Sequence, residues 1–247
     1  MTKRHGWMFA LAFTFVSTTA HSANLPSSDE IKGKINQALA KGNSLKNFYS
    51  SLGQQYGGSA IKPLIDIAND DKNSDETRWA SIFGLARLAG KESVGMLSKF
   101  MNNTSWMIRD AALKAAAALN ARELKLHIER RLKDDALIVR TTAVQTISHL
   151  KLKDSAPRLV EALFDPNNFN KGKALWIHKH ILNTLKEFHY TAASPRLADL
   201  LQKTQDETLQ AHVVKTLESL TGRSFPNKPI QEQIYLWKRN TISEVTF

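Results

Sequence analysis

Three stretches of this chain align without a gap at a spacing of 31 residues: 78–88, 109–119 and 140–150. Each opens on arginine and closes on leucine. Small or apolar residues stand at offsets +3, +4, +7 and +10 from the arginine: Ser81, Ile82, Leu85, Leu88, then Ala112, Leu113, Ala116, Leu119, then Ala143, Val144, Ile147, Leu150. These offsets fall on one side of a helix with 3.6 residues per turn. A unit this short cannot bury its apolar face alone, so a fixed period in this range predicts stacked units sharing one continuous core.

The register continues more loosely. Leu182 and Leu185 occupy the +7 and +10 positions 35 residues further on, with His178 and Lys179 in place of the apolar pair. Another 35 residues on, Val213, Val214, Leu217 and Leu220 restore the pattern, and Gln210 stands where the arginine stood. After each of these segments comes a break and a second amphipathic stretch, as at Lys91-Glu92 before 93–101 and Asp154-Ser155 before 156–164. The second stretches echo one another, Pro157-Arg158-Leu159-Val160 against Pro195-Arg196-Leu197-Ala198, with Pro63-Leu64-Ile65 in the same slot. Proline suits the first turn of a helix because its missing N–H has no intrahelical partner there. Asp134, Asp135, Asp165 and Asp206 stand where capping residues belong. The alanines at 111, 112 and 115–118 predict close helix approach.

The ends predict caps. Ser27 and Glu30 form a capping box ahead of Ile31, Ile35 and Leu39, and Gly42 closes that helix. Leu45, Phe48, Tyr49, Leu52 and Tyr56 mark a second helix ended by Gly57-Gly58. At the far end 221–226 breaks the pattern before a short last helix over 230–237.

The openings Ile108-Arg109-Asp110-Ala111-Ala112 and Val139-Arg140-Thr141-Thr142-Ala143, closed by Leu119 and Leu150, resemble HEAT repeats of the short bacterial, phycobilin-lyase-like type. The resemblance implies an all-α chain, a right-handed α-α superhelix of about five to six helix pairs with helical caps. It divides the sequence into a segment 1–23, capping helices over 24–58, a repeat array over 59–221 and a capping segment over 222–247. It also implies a curved scaffold that binds proteins. Some relatives handle bilin pigments, and related basic solenoids excise damaged DNA bases.

The segment 1–23 reads as a secretion signal: Lys3, Arg4 and His5, then the ten apolar residues 7–16, then small residues up to Ala23. The apolar run is half of the roughly 20 residues a bilayer span needs, and no later stretch approaches that length. Cleavage near residues 20–23 is the expectation, leaving a periplasmic or secreted chain without a transmembrane segment. Export argues against both the pigment and the DNA role, so no nucleic acid is expected as partner.

Charge and composition narrow the chemistry. There is no cysteine, which excludes disulfides, thiol catalysis and Cys-ligated zinc. Net charge is +11, and about +9 without Lys3 and Arg4, which fits attraction to an anionic surface as well as simple solubility. No His-Glu-x-x-His and no Gly-x-Ser-x-Gly is present, and residues 84–92 fail as a phosphate loop in glycine spacing and in ending on Glu92. His178 and His180 are two residues apart, whereas helical metal ligands sit at i and i+4. No catalytic residue, metal site or cofactor is therefore expected.

The candidate partner-binding residues are basic. Lys125, Arg130, Arg131 and Lys133, joined by Arg158 and Arg196 on later second helices, would make a stripe along the concave side if second helices line it, as is common in the family. The recurring Arg78, Arg109 and Arg140 read as a structural ladder between repeats. The function expected is a non-catalytic, exported scaffold for a protein partner in the cell envelope, with electrostatic binding of an anionic polymer or membrane surface as the alternative.

Overall fold

A computed structural model of the protein describes residues 25–42 and 44–243; the proposed signal at 1–23 lies outside them. Thirteen α-helices follow in chain order among the described residues: α1 Ser28–Ala40, α2 Leu45–Tyr56, α3 Ile61–Asn69, α4 Asp75–Ala89, α5 Val94–Phe100, α6 Trp106–Ala118, α7 Lys125–Arg130, α8 Leu137–His149, α9 Ala156–Ala162, α10 Ile177–Glu187, α11 Ser194–Lys203, α12 Glu207–Thr221 and α13 Ile230–Ser243. Helices α1 to α12 form six consecutive pairs, and α13 closes the stack against α11. The fold is an all-α solenoid of helix pairs.

The three arginine-led segments are α4, α6 and α8. Their +4 and +7 residues, Ile82 and Leu85, Leu113 and Ala116, Val144 and Ile147, are all within 1% of full burial and join one core from Ile31 to Trp237. The alanine stretch divides: Ala111, Ala112, Ala115 and Ala116 are buried, whereas Ala118 is exposed.

The pairing decides which layer lies inside the bend. Each even helix packs on the odd helix before it, and α4, α6, α8, α10 and α12 also pack directly on one another. Between α3 and α11 the successive odd helices meet mainly through short 3-10 turns, such as Arg131–Lys133 against α9. In a curved stack the layer with the closest axes is the inner one, so the arginine-led helices line the inside.

Helix ends follow a repeating rule. After α6, α8 and α10 the chain turns through Asn120, Lys151 and His189, each with φ near +50°, while Gly90 and Gly222 serve after α4 and α12. The N–H of Ala121, Leu152 and Tyr190 then reaches back to the carbonyl of Ala116, Ile147 and Leu185 at 3.0–3.1 Å, the Schellman pattern. At the N-terminal cap Ser27 accepts from the N–H of Glu30 at 3.1 Å. The Glu30 carboxylate does not return to Ser27; it accepts the hydroxyl of Tyr56 on α2 instead, tying α1 to α2.

One correction concerns the fourth copy. The wider spacing there accommodates an antiparallel hairpin, Phe169–Asn170 with Lys173–Ala174, that replaces the first turn expected of the helix. Lys171 and Gly172 both have positive φ, as a two-residue hairpin turn demands. The fifth copy's extra length goes partly into α11, ten residues against seven in α9.

Candidate functional site

The recurring arginines are buried and point along the stack. Arg109 donates from Nε and Nη2 to the two carboxylate oxygens of Asp134 at 2.7 and 2.6 Å, and from Nη1 to the carbonyls of Asn103 and Thr104. Arg140 repeats this one unit on, with Nε to Asn168 Oδ1 at 2.8 Å and Nη1 to the carbonyls of Asp134 and Asp135. Arg78 donates to the Ala68 carbonyl and to Asp75, whose second oxygen accepts from Ser105 of the next unit. Where arginine is missing, Gln210 reaches the Thr204 carbonyl at 2.9 Å, the same six-residue backward step. None of these groups is free to meet a partner.

On the side of the inner layer turned away from the core, two rows lie at offsets +1 and +5, with Asp110 and Thr141 buried within the first. The first row runs Trp79, Asp110, Thr141, Trp176, Ala211, and the second Phe83, Lys114, Gln145, His180, Lys215. Neighbours in a row touch across helices: Trp176 donates from its indole N–H to Thr141 Oγ1 at 3.0 Å while staying 57% exposed. Asp110 is buried between Lys114, at 2.6 Å, and Thr142 of α8, also at 2.6 Å. These rows were not singled out in the sequence. The signal was present in the residues between the core offsets, where Trp79, Phe83 and Trp176 break an otherwise polar face.

At the N-terminal end this face deepens into a cleft of about 440 Å³ between α2, α4 and the end of α6. The rings of Trp79 and Phe83 meet at a tilt of 48° with centroids 4.6 Å apart, and Leu45 and Leu119 extend the apolar lining. Tyr49 forms the floor, with its hydroxyl donated to the Ala80 carbonyl at 2.6 Å and its acidity suppressed by burial. Lys46 and Arg87 stand at the rim.

The six basic candidates lie elsewhere. They belong to the odd helices and their flanking turns, hence to the outer layer and not the concave side, because here the even helices pack directly on one another and the odd ones do not. Lys133 and Arg158 come together at a small groove that also holds Glu129, Glu161 and Asp165. Arg158 pairs with Glu161 at 3.1 Å, Arg131 with Asp134 at 3.3 Å, and Lys125 stands 3.8 Å from Asp154. Arg196 covers the ring of Phe164 at 4.1 Å, and Arg130 is exposed. The positive charges are thus interleaved with carboxylates.

A second cavity, of about 450 Å³, lies beside the hairpin between the starts of α10 and α12. The buried His178 ring stands 3.1 Å from the Leu163 carbonyl and 3.2 Å from that of Leu175, edge-on to Phe169 at 4.5 Å. Burial pushes its basicity below the usual histidine range, against the pull of both carbonyls and the charge of Asp206. Asp206 is itself committed, accepting the N–H groups of Ala174, Thr208 and Leu209 at 2.8–3.2 Å. Burial resists its charge, but those bonds and Lys173 hold its carboxyl below the usual range. Among the described residues no three His, Asp or Glu side chains converge as metal ligands do, and no helix is long and apolar enough to cross a membrane.

A family model and one solved structure agree with this architecture. A family model for HEAT repeats matches residues 61–142. Among solved structures, the complex of CpcE and CpcF of phycocyanin lyase from Nostoc sp. PCC7120 is similar at 17% identity and a TM-score of 0.51, covering 66% of this chain and 65% of that one. The chain therefore spans a little under two thirds of that relative's length. A designed armadillo repeat protein, YIII(Dq)4CqI, is 18% identical with a TM-score of 0.48, covering 80% of this chain and 96% of the design. No curated protein matches. The 31-residue register, the paired helices with their buried arginines and the matching family model lead to one conclusion: the chain is an all-α solenoid of helix pairs that carries HEAT repeats over residues 61–142.

Proposed function

We propose that this protein is a non-catalytic, exported scaffold that holds a protein partner against its inner helical face in the cell envelope. The observation that carries the binding surface is the inner face of α4, α6, α8 and α10, with Trp176 exposed and Trp79 and Phe83 half-buried. Trp79, Phe83 and Trp176 present apolar area there, and polar residues such as Gln145 and Asn183 lie between and beside them. Aromatic anchors amid polar groups are the composition of a protein-binding surface. Export rests on the three-part pattern of residues 1–23. The similar phycocyanin lyase solenoid is itself found in a complex of two proteins, CpcE and CpcF. Interleaved carboxylates on the outer layer favour this reading over a purely electrostatic binder.

The test has two parts. Fractionation of cells carrying the full chain, with sequencing of the product's N-terminus, should place it outside the cytoplasm with a start near residues 21–24; an intact Met1 in the cytoplasm refutes export. Affinity capture from an envelope extract should retain a partner on the wild type and lose it on a variant carrying Gln145→Arg and Asn183→Arg. Equal retention by both forms, or retention that vanishes with modest salt as exposed electrostatic contacts do, counts against the inner-face reading.

A further inference from the structure

The two cavities on this face differ in charge, and the difference identifies an occupant for one of them. Asp206 lies in the lining of the cavity beside the hairpin, balancing the lysines there. The cleft at α4 has Lys46 and Arg87 at its rim and no carboxylate in its lining. Both side chains are exposed, and neither is paired with a described residue. Below them the walls are apolar: the tilted Trp79–Phe83 pair, Leu45 and Leu119.

The depth of the cleft is built in. Gly84 lets the ring of Tyr49 lie directly against α4, and a Cβ at that position would stand 3.0 Å from Tyr49 Cε1 and 3.1 Å from Leu64 Cδ2. With Tyr49 drawn down by its bond to the Ala80 carbonyl, the space above is open and about 440 Å³ in volume. That lies within the roughly 300–1,000 Å³ of sites that take small organic groups.

We infer that this cleft takes a bulky apolar side chain of a peptide segment whose flanking residues are acidic; the inference rests on the inner-face reading above. The apolar walls remove the side chain from water, and the flanking carboxylates meet Lys46 and Arg87. A segment with basic flanks meets the same cations and is repelled. A peptide fits better than a free amphiphile because Lys46 on α2 and Arg87 on α4 come from two different helices of the lining, and a segment acidic on both flanks offers each its own carboxylate, whereas an amphiphile brings a single headgroup.

Fluorescence anisotropy with fluorescein-labelled hexapeptides tests this on purified protein beginning at residue 24. Glu-Glu-Leu-Phe-Glu-Glu should bind about tenfold more tightly than Gln-Gln-Leu-Phe-Gln-Gln, the order expected for two well-placed exposed ion pairs, and Lys-Lys-Leu-Phe-Lys-Lys should bind least. Combined Lys46→Glu and Arg87→Glu substitution should invert that order, and because both side chains are exposed the fold survives it. Trp79→Ala should weaken all three peptides alike. Equal binding of the three peptides, a preference unmoved by charge reversal, or no binding at millimolar concentration overturns the assignment. So does saturable binding of dodecanoate in the absence of peptide binding. If the peptides fail while a crosslinker at Gln145 still captures a partner, the cleft assignment falls and the scaffold reading stands; failure at both positions removes both.

Discussion

Arg109 and Asp134 grip one another across a repeat boundary, Nε and Nη2 of the arginine meeting the two carboxylate oxygens at 2.7 and 2.6 Å with both side chains almost wholly buried. Asp134 also accepts the Ala136 N–H and leans on Arg131, so one carboxylate closes the turn before α8 and docks the preceding repeat. Replacing it with Ala leaves a buried guanidinium without its counterion, and a loss of about 3–5 kcal/mol is expected in chemical denaturation.

The same pair sets the acid limit. Burial resists the charge on Asp134, but the bonds from Arg109 and Ala136 and the charges of Arg109 and Arg131 outweigh it and hold the carboxyl below its usual range. A lowered folded-state value means the contribution is complete above the unfolded value of about 3.9 and is lost as pH falls below it. Acid unfolding followed by circular dichroism should therefore shift to higher pH in Asp134→Asn, and an unchanged acid midpoint would contradict this.

His178 gives a second dependence with its own window. Its folded-state basicity is lowered by burial, so the unfolded chain takes up the proton first, and stability falls as pH drops below about 6.5. Melting temperatures at pH 7.5 and 5.5 should differ less in His178→Gln than in the wild type. An identical difference in both would show that the ring does not titrate as its surroundings dictate.

Thr142→Val preserves side-chain shape but removes the hydroxyl that donates to Asp110 at 2.6 Å between α6 and α8. Asp110 is buried and keeps only Lys114, so a loss of about 1–3 kcal/mol is expected from denaturant titration.

Lys151 turns α8 into its next segment with φ of +51°, where a side chain strains the backbone. Lys151→Gly should raise stability by up to about 1 kcal/mol, since glycine takes this conformation freely. The same change at an ordinary helical position such as Lys186 should lower it.

Much of this architecture is legible in the residues, for a simple reason. A buried face repeats with the helical period, so Ile82, Leu113 and Val144 announce one another at a constant spacing. Curvature leaves no such trace. Periodicity says which side of α6 or α7 is buried, but not which layer packs closer, and so the basic residues around α7 were expected on the concave side although they lie outside. The hairpin was hidden for another reason: strands two residues long carry no alternation, and only Lys171-Gly172 hinted at the turn. The aromatic cleft was missed because Trp79 and Phe83 sit between core offsets on α4, and it takes Tyr49 from a distant helix and the absent side chain of Gly84 to make space beneath them.

The inner-face account is tested most directly by a photo-crosslinking residue placed singly in living cells at Phe83, Gln145 or Asn183 on the even helices, and at Lys99, Arg130 or Arg158 on or beside the odd ones. The account predicts one common crosslinked partner from the three inner positions and none of it from the three outer positions. Crosslinks to that partner from the outer positions, with the inner ones silent, would contradict it.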